Sequence, residues 1–235
     1  FLAGMHSAKT MASILKVPVL EVTHQDSHIQ SGLWSCRHDM DKEFMAYHVS
    51  GGTTELLKVM VNGEFSITEI GGTSDLNAGQ FIDRIGVAMG IKFPCGQVMD
   101  KLCNEFEIEG ISIPISIDGC SMSFSGPETH VQRLIRGRVP DRREAAEISK
   151  GVFLCIARSI EKTVLEAKRV YGLEELLLVG GVVSNTIIKE YLTKKSGLSK
   201  RGIKAFFADA VYSPDNAVGT AVLGMKQISA HGRNK

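Results

Sequence analysis

The sequence lacks the cysteine pattern of a disulfide framework or of a cysteine-based zinc site. Its 235 residues contain five cysteines, an odd number, and none of them form a Cys-x-x-Cys pair. A reducing compartment fits this usage best, so we expect a cytoplasmic protein. No apolar run approaches the roughly 20 residues of a membrane span, and the N-terminus shows no charged region followed by a cleavage site. We therefore expect no membrane partner.

A large net charge is also missing. The 27 basic and 26 acidic residues leave a net charge of +1, so no global field draws the chain to nucleic acid or to an anionic membrane. Any basic surface must be local. A run of basic residues usually forms a solvated helix face and less often follows a phosphate backbone. One such run is present: Arg133, Arg136, Arg138, Arg142, Arg143 and Lys150.

Glycine is plentiful, and it is concentrated in two turns. An apolar strand signal over residues 44–49 runs into Ser50, Gly51, Gly52 and Thr53, and a second strand signal follows at once. This pattern predicts a tight hairpin, which by itself is most often an ordinary turn, although its bare N–H groups also suit a phosphate. A second glycine turn, residues 180–185, lies between a strand and a helix. We expect the two turns to face one another across a cleft.

Hydrophobic periodicity predicts an ordered series of helices and strands. A meander of three strands covers residues 44–70, with its second turn at Asn62 and Gly63. Helices are predicted at 2–15, 77–90, 98–106, 144–168 and 186–192, with another beginning near Thr23 and a last one opening at Asp215 and Asn216. Further strands are predicted at 19–22, 111–117, 176–179 and 205–207, and residues 121–126 are predicted to form a loop. Since residue 1 is Phe and a helix follows at once, we expect the chain to begin within a fold.

Two histidines stand out because of their spacing. His24 and His28 are four residues apart, so on a helix they share one face, with Cβ atoms roughly 5 to 6 Å apart. Two imidazoles in that arrangement can share a metal ion, and two separately hydrogen-bonded histidines explain the pattern equally well. Gln25 stands where the zinc-protease pattern HExxH has its general base, which disfavours peptide hydrolysis.

Three aspartates have ordinary structural explanations beside functional ones. Asp83 lies near the middle of a predicted helix, where a lone carboxylate is normally a solvated charge. Asp100 is predicted in the first turn of its helix, where an acid is favourable against the helix dipole. Asp215 is predicted at a helix start, where an N-cap is the default role.

Seven short motifs, taken in order, resemble those of a known family. The chain is similar to the universal tRNA threonylcarbamoyl transferases, once described as O-sialoglycoprotein endopeptidases, from about residue 1 to residue 225. Each motif is weak alone, but all seven in order are specific. The motifs are HQDSH, VSGGTT, NAGQFIDR, FPCGQVMDK, SFSG, GGVVSN and SPDNA.

The resemblance implies an α/β protein with the actin-like ATPase fold, which is ribonuclease H-like, and the predicted element order agrees with it. In that architecture two half-domains enclose a nucleotide. It implies that residues 1–40 are a remnant of the first half-domain and that residues 41–214 form a complete second one, with a helical insertion at about 97–145. Residues 215–235 would be a C-terminal helix that returns to the first half-domain.

The resemblance also implies a set of site residues. His24, His28 and Asp215 would bind one divalent metal ion, iron or zinc, and would be the catalytic residues. A glycine-lined pocket would hold threonylcarbamoyl-adenylate, ATP or AMP, with carboxylates accepting hydrogen bonds from the sugar. The implied nucleotide-binding residues are Ser50, Gly51, Gly52, Thr53, Asp83, Gly96, Asp100, Gly180, Gly181 and Asn185.

The implied activity is acyl transfer from threonylcarbamoyl-adenylate to the amino group of an adenine in tRNA. The implied partners are tRNA, contacted by the arginine run, and other proteins of the modification complex in a homo- or heterodimer. Compared with the family, the chain lacks the N-terminal segment that carries the first strands of the first half-domain. Four residues around the nucleotide positions also differ from the family pattern, and these are Thr53, Gln80, Cys95 and Gln97. These differences flank the nucleotide positions without removing the metal or nucleotide ligands.

Two other classes of function stay open at this point. A non-catalytic paralog that scaffolds the modification complex has the same fold, but such proteins usually lack the histidine pair. A sugar or acetate kinase of the same fold is compatible with the glycine turns, but it has no need for two histidines and an aspartate around one ion.

Overall fold

The computed structural model describes residues 2–38, 40–62, 65–212 and 216–232. Helices and strands alternate in groups along this part of the chain, and short 3₁₀ and π-helical turns join some of them. The helices are α1 Leu2–Leu15, α2 His24–Cys36, α3 Ala78–Ala88, α4 Gly96–Glu105, α5 Ser125–Ile135, α6 Arg142–Tyr171, α7 Thr186–Glu190 and α8 Val218–Gly232. The strands are β1 Glu43–Val49, β2 Thr54–Val61, β3 Phe65–Thr73, β4 Ser116–Asp118, β5 Ser121–Ser123, β6 Glu175–Val179 and β7 Lys204–Phe207.

The strands form one mixed sheet in the order β4-β5-β3-β2-β1-β6-β7. The predicted meander is confirmed, because β1 pairs antiparallel with β2 and β2 pairs antiparallel with β3. Strand β6 then pairs parallel with β1, and β7 pairs parallel with β6. Strand β1 therefore lies inside the sheet with a hydrogen-bonded neighbour on each side. The second meander turn was predicted at Asn62 and Gly63, and Gly63 lies outside the described residues.

The two faces of the sheet are covered by different helices. Because side chains alternate along a strand, Phe44 and Ala46 of β1 face one side and Met45 and Tyr47 face the other. Phe44 and Ala46 pack with Ile29 of α2 in the smaller apolar cluster. The opposite side forms the larger cluster with α3 and the long helix α6. Helix α2 therefore lies on the face of β1 that points away from α6.

Local signals explain where the long helices begin and end. The Asp141 carboxylate accepts a hydrogen bond from the Glu144 N–H, and Gly172 ends α6 with φ +73°. Helix α2 begins with a capping box between Thr23 and Asp26, whose side chains bond each other's backbone N–H groups. The capping box therefore fixes the start of the helix that carries His24 and His28.

Several element predictions were wrong. Residues 19–22 form no strand and lie mostly exposed, because no sheet edge pairs with their backbone groups. Of the strand predicted at 111–117, β4 at Ser116–Asp118 covers only the end. The loop predicted at 121–126 is instead strand β5 followed by the start of α5, which the sequence analysis did not predict.

Two helix starts were misplaced. Helix α4 begins at Gly96, so Asp100 lies in its second turn rather than its first. The last helix begins at Val218, whose N–H donates to Asn216 Oδ1 at 2.9 Å, rather than at residues 215–216. Asp215 lies outside the described residues, so its predicted N-cap role stays a prediction. Among the helices the structure describes, none is both long and apolar enough to cross a bilayer.

Candidate functional site

The glycine cavity is an open cleft of about 450 Å³ at the carboxyl ends of β1 and β6. The four-residue hairpin tip forms part of one wall, and its Ser50 N–H donates to the Thr53 carbonyl at 2.8 Å. The turn after β6 forms another wall, because the Val182 N–H donates to the Val49 carbonyl at 3.1 Å. The residues that line the cavity are Gly51, Gly79, Ile82, Asp83, Pro94, Gly96, Gln97, Asp100, Phe153, Gly181, Val182, Ser184 and Asn185. The two glycine turns therefore meet at one cleft.

Six of the ten residues predicted to bind a nucleotide line this cavity: Gly51, Asp83, Gly96, Asp100, Gly181 and Asn185. The other four, which are Ser50, Gly52, Thr53 and Gly180, do not appear in its lining. Gly180 also has a structural role. Its φ is +105°, and any Cβ there would overlap the Val49 carbonyl. A side chain at this position would push the turn after β6 away from β1.

Gly79 is a cavity residue that the sequence analysis did not single out. A Cβ at this position would lie 2.5 Å from Gly51 Cα and 2.8 Å from the Ser50 carbonyl oxygen. Helix α3 therefore begins in direct contact with the hairpin tip, and Asn77 Nδ2 fixes that contact by donating to the Gly52 carbonyl at 2.9 Å. The signal available was the pair of small residues, Ala78 and Gly79, that follows the N-cap Asn77 in NAGQF.

The polar side chains of the cavity also hold the surrounding backbone. Asp83 Oδ1 accepts a hydrogen bond from the Cys95 N–H at 2.8 Å, and Asp100 Oδ1 accepts one from the Thr186 hydroxyl at 2.7 Å. Asn185 Oδ1 accepts from the first N–H groups of α7. Both carboxylates are half-buried, so each is fixed by a protein donor while it borders the cavity. Their structural and functional explanations are therefore compatible.

A second cavity, the histidine pocket, has a volume of about 380 Å³ and lies between the starts of α2 and α8. Its two helices are tied together near the pocket by a hydrogen bond of 3.1 Å between the Ser27 and Thr220 hydroxyls. Gly219 permits this close approach, because a Cβ there would overlap the Ser27 carbonyl. The residues that line the pocket are Val22, Thr23, His24, Ser27, His28, Asn216, Ala217 and Thr220.

The two predicted metal-binding histidines are close enough to share one cation. Their Nε2 atoms lie 3.2 Å apart. Two imidazole nitrogens bound to one zinc ion at about 2.0–2.1 Å stand roughly 2.9–3.4 Å from each other, depending on coordination geometry. Within the described residues no group of three or more His, Cys, Asp or Glu side chains is placed to hold a metal ion. Asp215, the third predicted ligand, lies outside them. The histidine pair fits an ion that receives further ligands from elsewhere.

His48 is a third histidine beside this pair, and the sequence analysis did not predict its role. Its ring centroid lies 4.7 Å from that of His28, and its side chain is buried. The alternation of side chains along β1 could have indicated this position, because His48 lies two residues beyond Ala46 and so on the face that packs against α2. His48 is also only three residues before Gly51, so their Cα atoms lie at most about 11 Å apart. The histidine pocket and the glycine cavity are therefore neighbours.

Comparison with known proteins decides the family. A family model described as tRNA N6-adenosine threonylcarbamoyltransferase, TsaD, matches residues 1–222. The chain belongs to this family. The resemblance described from the seven motifs is thereby confirmed.

Relatives of the same description cover almost the whole chain. Those from Microcystis aeruginosa and Clostridium perfringens are 26% and 29% identical over 224 and 221 residues. Each alignment spans 92% of this chain and 64% of the relative. This member of the TsaD family therefore spans less than two thirds of the length of these relatives.

Solved structures support the predicted fold class. HypF from T. kodakarensis superposes with a TM-score of 0.66 at 15% identity, over 96% of this chain and 39% of that one. The activator of 2-hydroxyisocaproyl-CoA dehydratase from Clostridium difficile, solved with bound ADPNP, gives a TM-score of 0.52 at 11% identity, over 90% of this chain and 69% of that one. The α/β, actin-like fold is confirmed, and the division of the chain into half-domains stays a prediction.

Proposed function

We propose that the protein transfers the threonylcarbamoyl group from threonylcarbamoyl-adenylate to the amino group of an adenine in tRNA. The observation that carries this proposal is the 3.2 Å separation of the His24 and His28 Nε2 atoms beside a glycine-lined cavity, in a member of the TsaD family. A small-molecule kinase of the same fold would account for the cavity but not for the paired imidazoles.

The glycine cavity suits the adenylate part of the substrate. Its volume of about 450 Å³ is in the range of small-molecule sites. Gly51 and Gly181 have no Cβ, so phosphate oxygens can approach their backbone closely. Asp83 and Asp100 would accept hydrogen bonds from the sugar hydroxyls, since each carboxylate has more acceptor sites than its protein donors fill.

The histidine pocket suits a borderline divalent ion. We infer that His24, His28 and Asp215 hold iron or zinc, because two neutral imidazoles and a carboxylate are ligands that both ions accept. When bound, such an ion orients the adenylate and polarises its acyl oxygen. Asn216, the chain neighbour of Asp215, lines the pocket and accepts a hydrogen bond from the Ser31 hydroxyl at 3.2 Å.

The reaction needs positioning more than it needs a protein nucleophile. The adenine amino nitrogen forms a bond to the acyl carbon while the bond from that carbon to the phosphate oxygen breaks. AMP leaves with the electron pair of that bond, and the amino proton passes to solvent. Fixing the mixed anhydride in the glycine cavity would orient its acyl carbon toward the attacking amino group. Alignment of this kind lowers the activation barrier by several kcal/mol.

For the tRNA, we infer contacts from the arginine run. Arg138, Arg142 and Arg143 form ion pairs with neighbouring glutamates. Arg133 and Arg136 form none with any described residue, so their charges are the more available for phosphates. Assembly with other proteins of the modification system, as a homo- or heterodimer, stays a prediction.

The test is transfer of labelled threonylcarbamoyl from the adenylate to tRNA that lacks the modification. Since the chain spans less than two thirds of its relatives, a second arm of the assay supplies the part of such a relative that the alignment leaves uncovered. We expect labelled tRNA in at least one arm, and a loss of about 100-fold or more in His24→Ala. The matched control is His6→Ala on the exposed helix α1.

Three outcomes would contradict the proposal. The first is that the tRNA stays unlabelled in both arms although the protein still binds zinc, which would favour a scaffold. The second is phosphoryl transfer from ATP to a small hydroxylated compound without tRNA, which would favour a kinase. The third is equal activity in His24→Ala and the unchanged protein.

A further inference from the structure

The ring of His28 is contacted on two sides by other imidazoles. The His24 ring stands perpendicular to it, with centroids 4.5 Å apart. The His48 ring is tilted by 36°, with its centroid 4.7 Å away. His28 and His48 are 8% and 7% exposed, so solvent has little room between them. The orientation of the His28 ring is therefore restricted by His48, a buried neighbour on strand β1.

His48 is a rigid support because of its place in the sheet. It is paired with Glu55 of β2 on one side and with Val179 of β6 on the other. A strand with ladders on both sides cannot shift its side chains along the chain without breaking both. Helix α2 also packs on this face, through contacts of Ile29 with Val179 and its neighbours. The ring of His48 is thus held against α2 beside His28.

His24 differs from His28 in its exposure. The His24 residue is exposed, and it borders the histidine pocket. The sheet therefore packs against the buried imidazole of the pair. Since ring pairs at centroid distances of 4.5–7 Å attract one another, the contact between His48 and His28 also favours the observed orientation.

We propose that His48 is a positioning residue for the candidate metal site, which holds the His28 ring so that its Nε2 atom stays beside that of His24. This inference rests on the metal site of the proposed function. His48 is not itself assigned as a ligand, because the described residues contain no group of three side chains placed around one ion. Groups that orient a metal ligand typically change metal affinity by 10–100-fold when they are replaced.

The test compares two replacements of His48 in the full chain. His48→Phe keeps a flat ring that can pack on His28 but has no nitrogen, and His48→Leu keeps apolar volume without a ring. The probe is Co²⁺, whose visible absorption reports the geometry of its ligands. We measure its Kd by titration and its absorption bands, together with the thermal melt of the metal-free protein.

If His48 positions His28, His48→Leu raises the Kd for Co²⁺ by about 10–100-fold and alters the absorption bands. His48→Phe stays within about threefold of the unchanged protein. A role in stability alone would lower the melting temperature of His48→Leu without changing the Kd. If His48→Leu does not fold, His48→Gln replaces it with the same expected loss.

Two results would overturn the inference by itself. Equal losses in His48→Phe and His48→Leu would show that the nitrogen matters and the ring contact does not. An unchanged Kd in His48→Leu would show that His28 needs no support. If the unchanged protein binds no Co²⁺ at all, the metal site of the proposed function fails, and the inference about His48 fails with it.

Discussion

The glycine cavity and the histidine pocket are built from different parts of the chain. Backbone makes much of the cavity, where two glycines, Gly79 and Gly180, lack side chains that would push α3 away from the hairpin tip and the turn after β6 away from β1. Side chains make the pocket, where α2 and α8 approach each other, and His48 of β1 packs behind it against the ring of His28. The comparison teaches that one strand end can serve both, because His48 near the end of β1 lies three residues before Gly51 in the hairpin tip. Because different parts of the chain build the two sites, a mutation should be able to affect one site without the other.

The largest separation is expected from His28→Ala. Removing one of the two imidazoles should raise the Kd for Zn²⁺ by at least about 100-fold, a larger loss than is typical for a residue that only orients a ligand. The Kd for AMP should stay within about threefold. Titration calorimetry with each ligand measures both, with His130→Ala as the control because His130 lies on α5 and lines another cavity. A parallel loss of AMP binding would show that the two sites are not separate.

The converse change is Gly79→Ala. Its Cβ would lie 2.5 Å from Gly51 Cα, so the hairpin tip must move away from the cavity. We expect the Kd for AMP to rise by about 10–100-fold, equivalent to roughly 1.4–2.8 kcal/mol, while Zn²⁺ binding is kept. Gly126→Ala is the matched control, since it also lies in the first turn of a helix and its Cβ would meet nothing within 4 Å. AMP binding as tight as in that control would contradict the description of the cavity wall.

A smaller effect, on stability and on neither site, is expected at Asp75. Although burial opposes it, hydrogen bonds from the Ser123 and Ser125 hydroxyls and from the Phe124 N–H hold the pKa of this carboxyl well below its usual range. Asp75→Ala should cost about 0.5–2 kcal/mol of unfolding free energy, as loss of a helix cap does. Urea unfolding measures it, with Asp118→Ala on exposed β4 as the control.

The same carboxyl predicts a dependence on pH. Because the pKa of Asp75 is lower in the folded state, its contribution is fully present above the unfolded pKa of about 3.9. It is lost as the pH falls from there toward the folded value. The difference in stability between the unchanged protein and Asp75→Ala should therefore be constant from pH 5 to 7 and shrink below about pH 4. A difference that grows on acidification would contradict this account.

The smallest effect concerns the buried thiols. Burial raises the pKa of Cys103 and of Cys155 to about 12, so both stay protonated and unreactive near neutral pH. A thiol reagent at pH 8 should label neither in the folded protein, with or without AMP and Zn²⁺, and should label both in urea. Mass spectrometry of the labelled peptides checks this. Rapid labelling of Cys155 in the folded state would contradict the packing of α6.

The parts of the fold that sequence analysis predicted correctly are those with local signals. The meander follows from the apolar strand signals at residues 44–49 and 56–59 with a glycine turn between them, and the end of α6 follows from Gly172. The strand expected at 19–22 failed because a strand needs a pairing edge, and pairing is not visible in local composition. Asp100 was placed one turn too early because the start of α4 at Gly96 has no side-chain cap.

Sequence analysis likewise found the site residues that have local signals and missed those that depend on tertiary contacts. Glycine turns and the histidine spacing identify residues whose role depends on their own backbone or on one helix face. His48 and Gly79 depend on which element packs against which, and only the tertiary structure brings them to His28 and Gly51. Gly180 has a positive φ and a close contact with Val49 that explain its presence structurally, and its predicted role in nucleotide binding stays a prediction.

The most direct measurement is anomalous diffraction from crystals grown with Zn²⁺ and AMP. The account predicts a zinc peak bonded to the Nε2 atoms of both His24 and His28, with the AMP phosphate against the backbone of Gly51. A zinc ion bound elsewhere in the chain, or AMP outside the glycine cavity while the histidines stay metal-free, would contradict it.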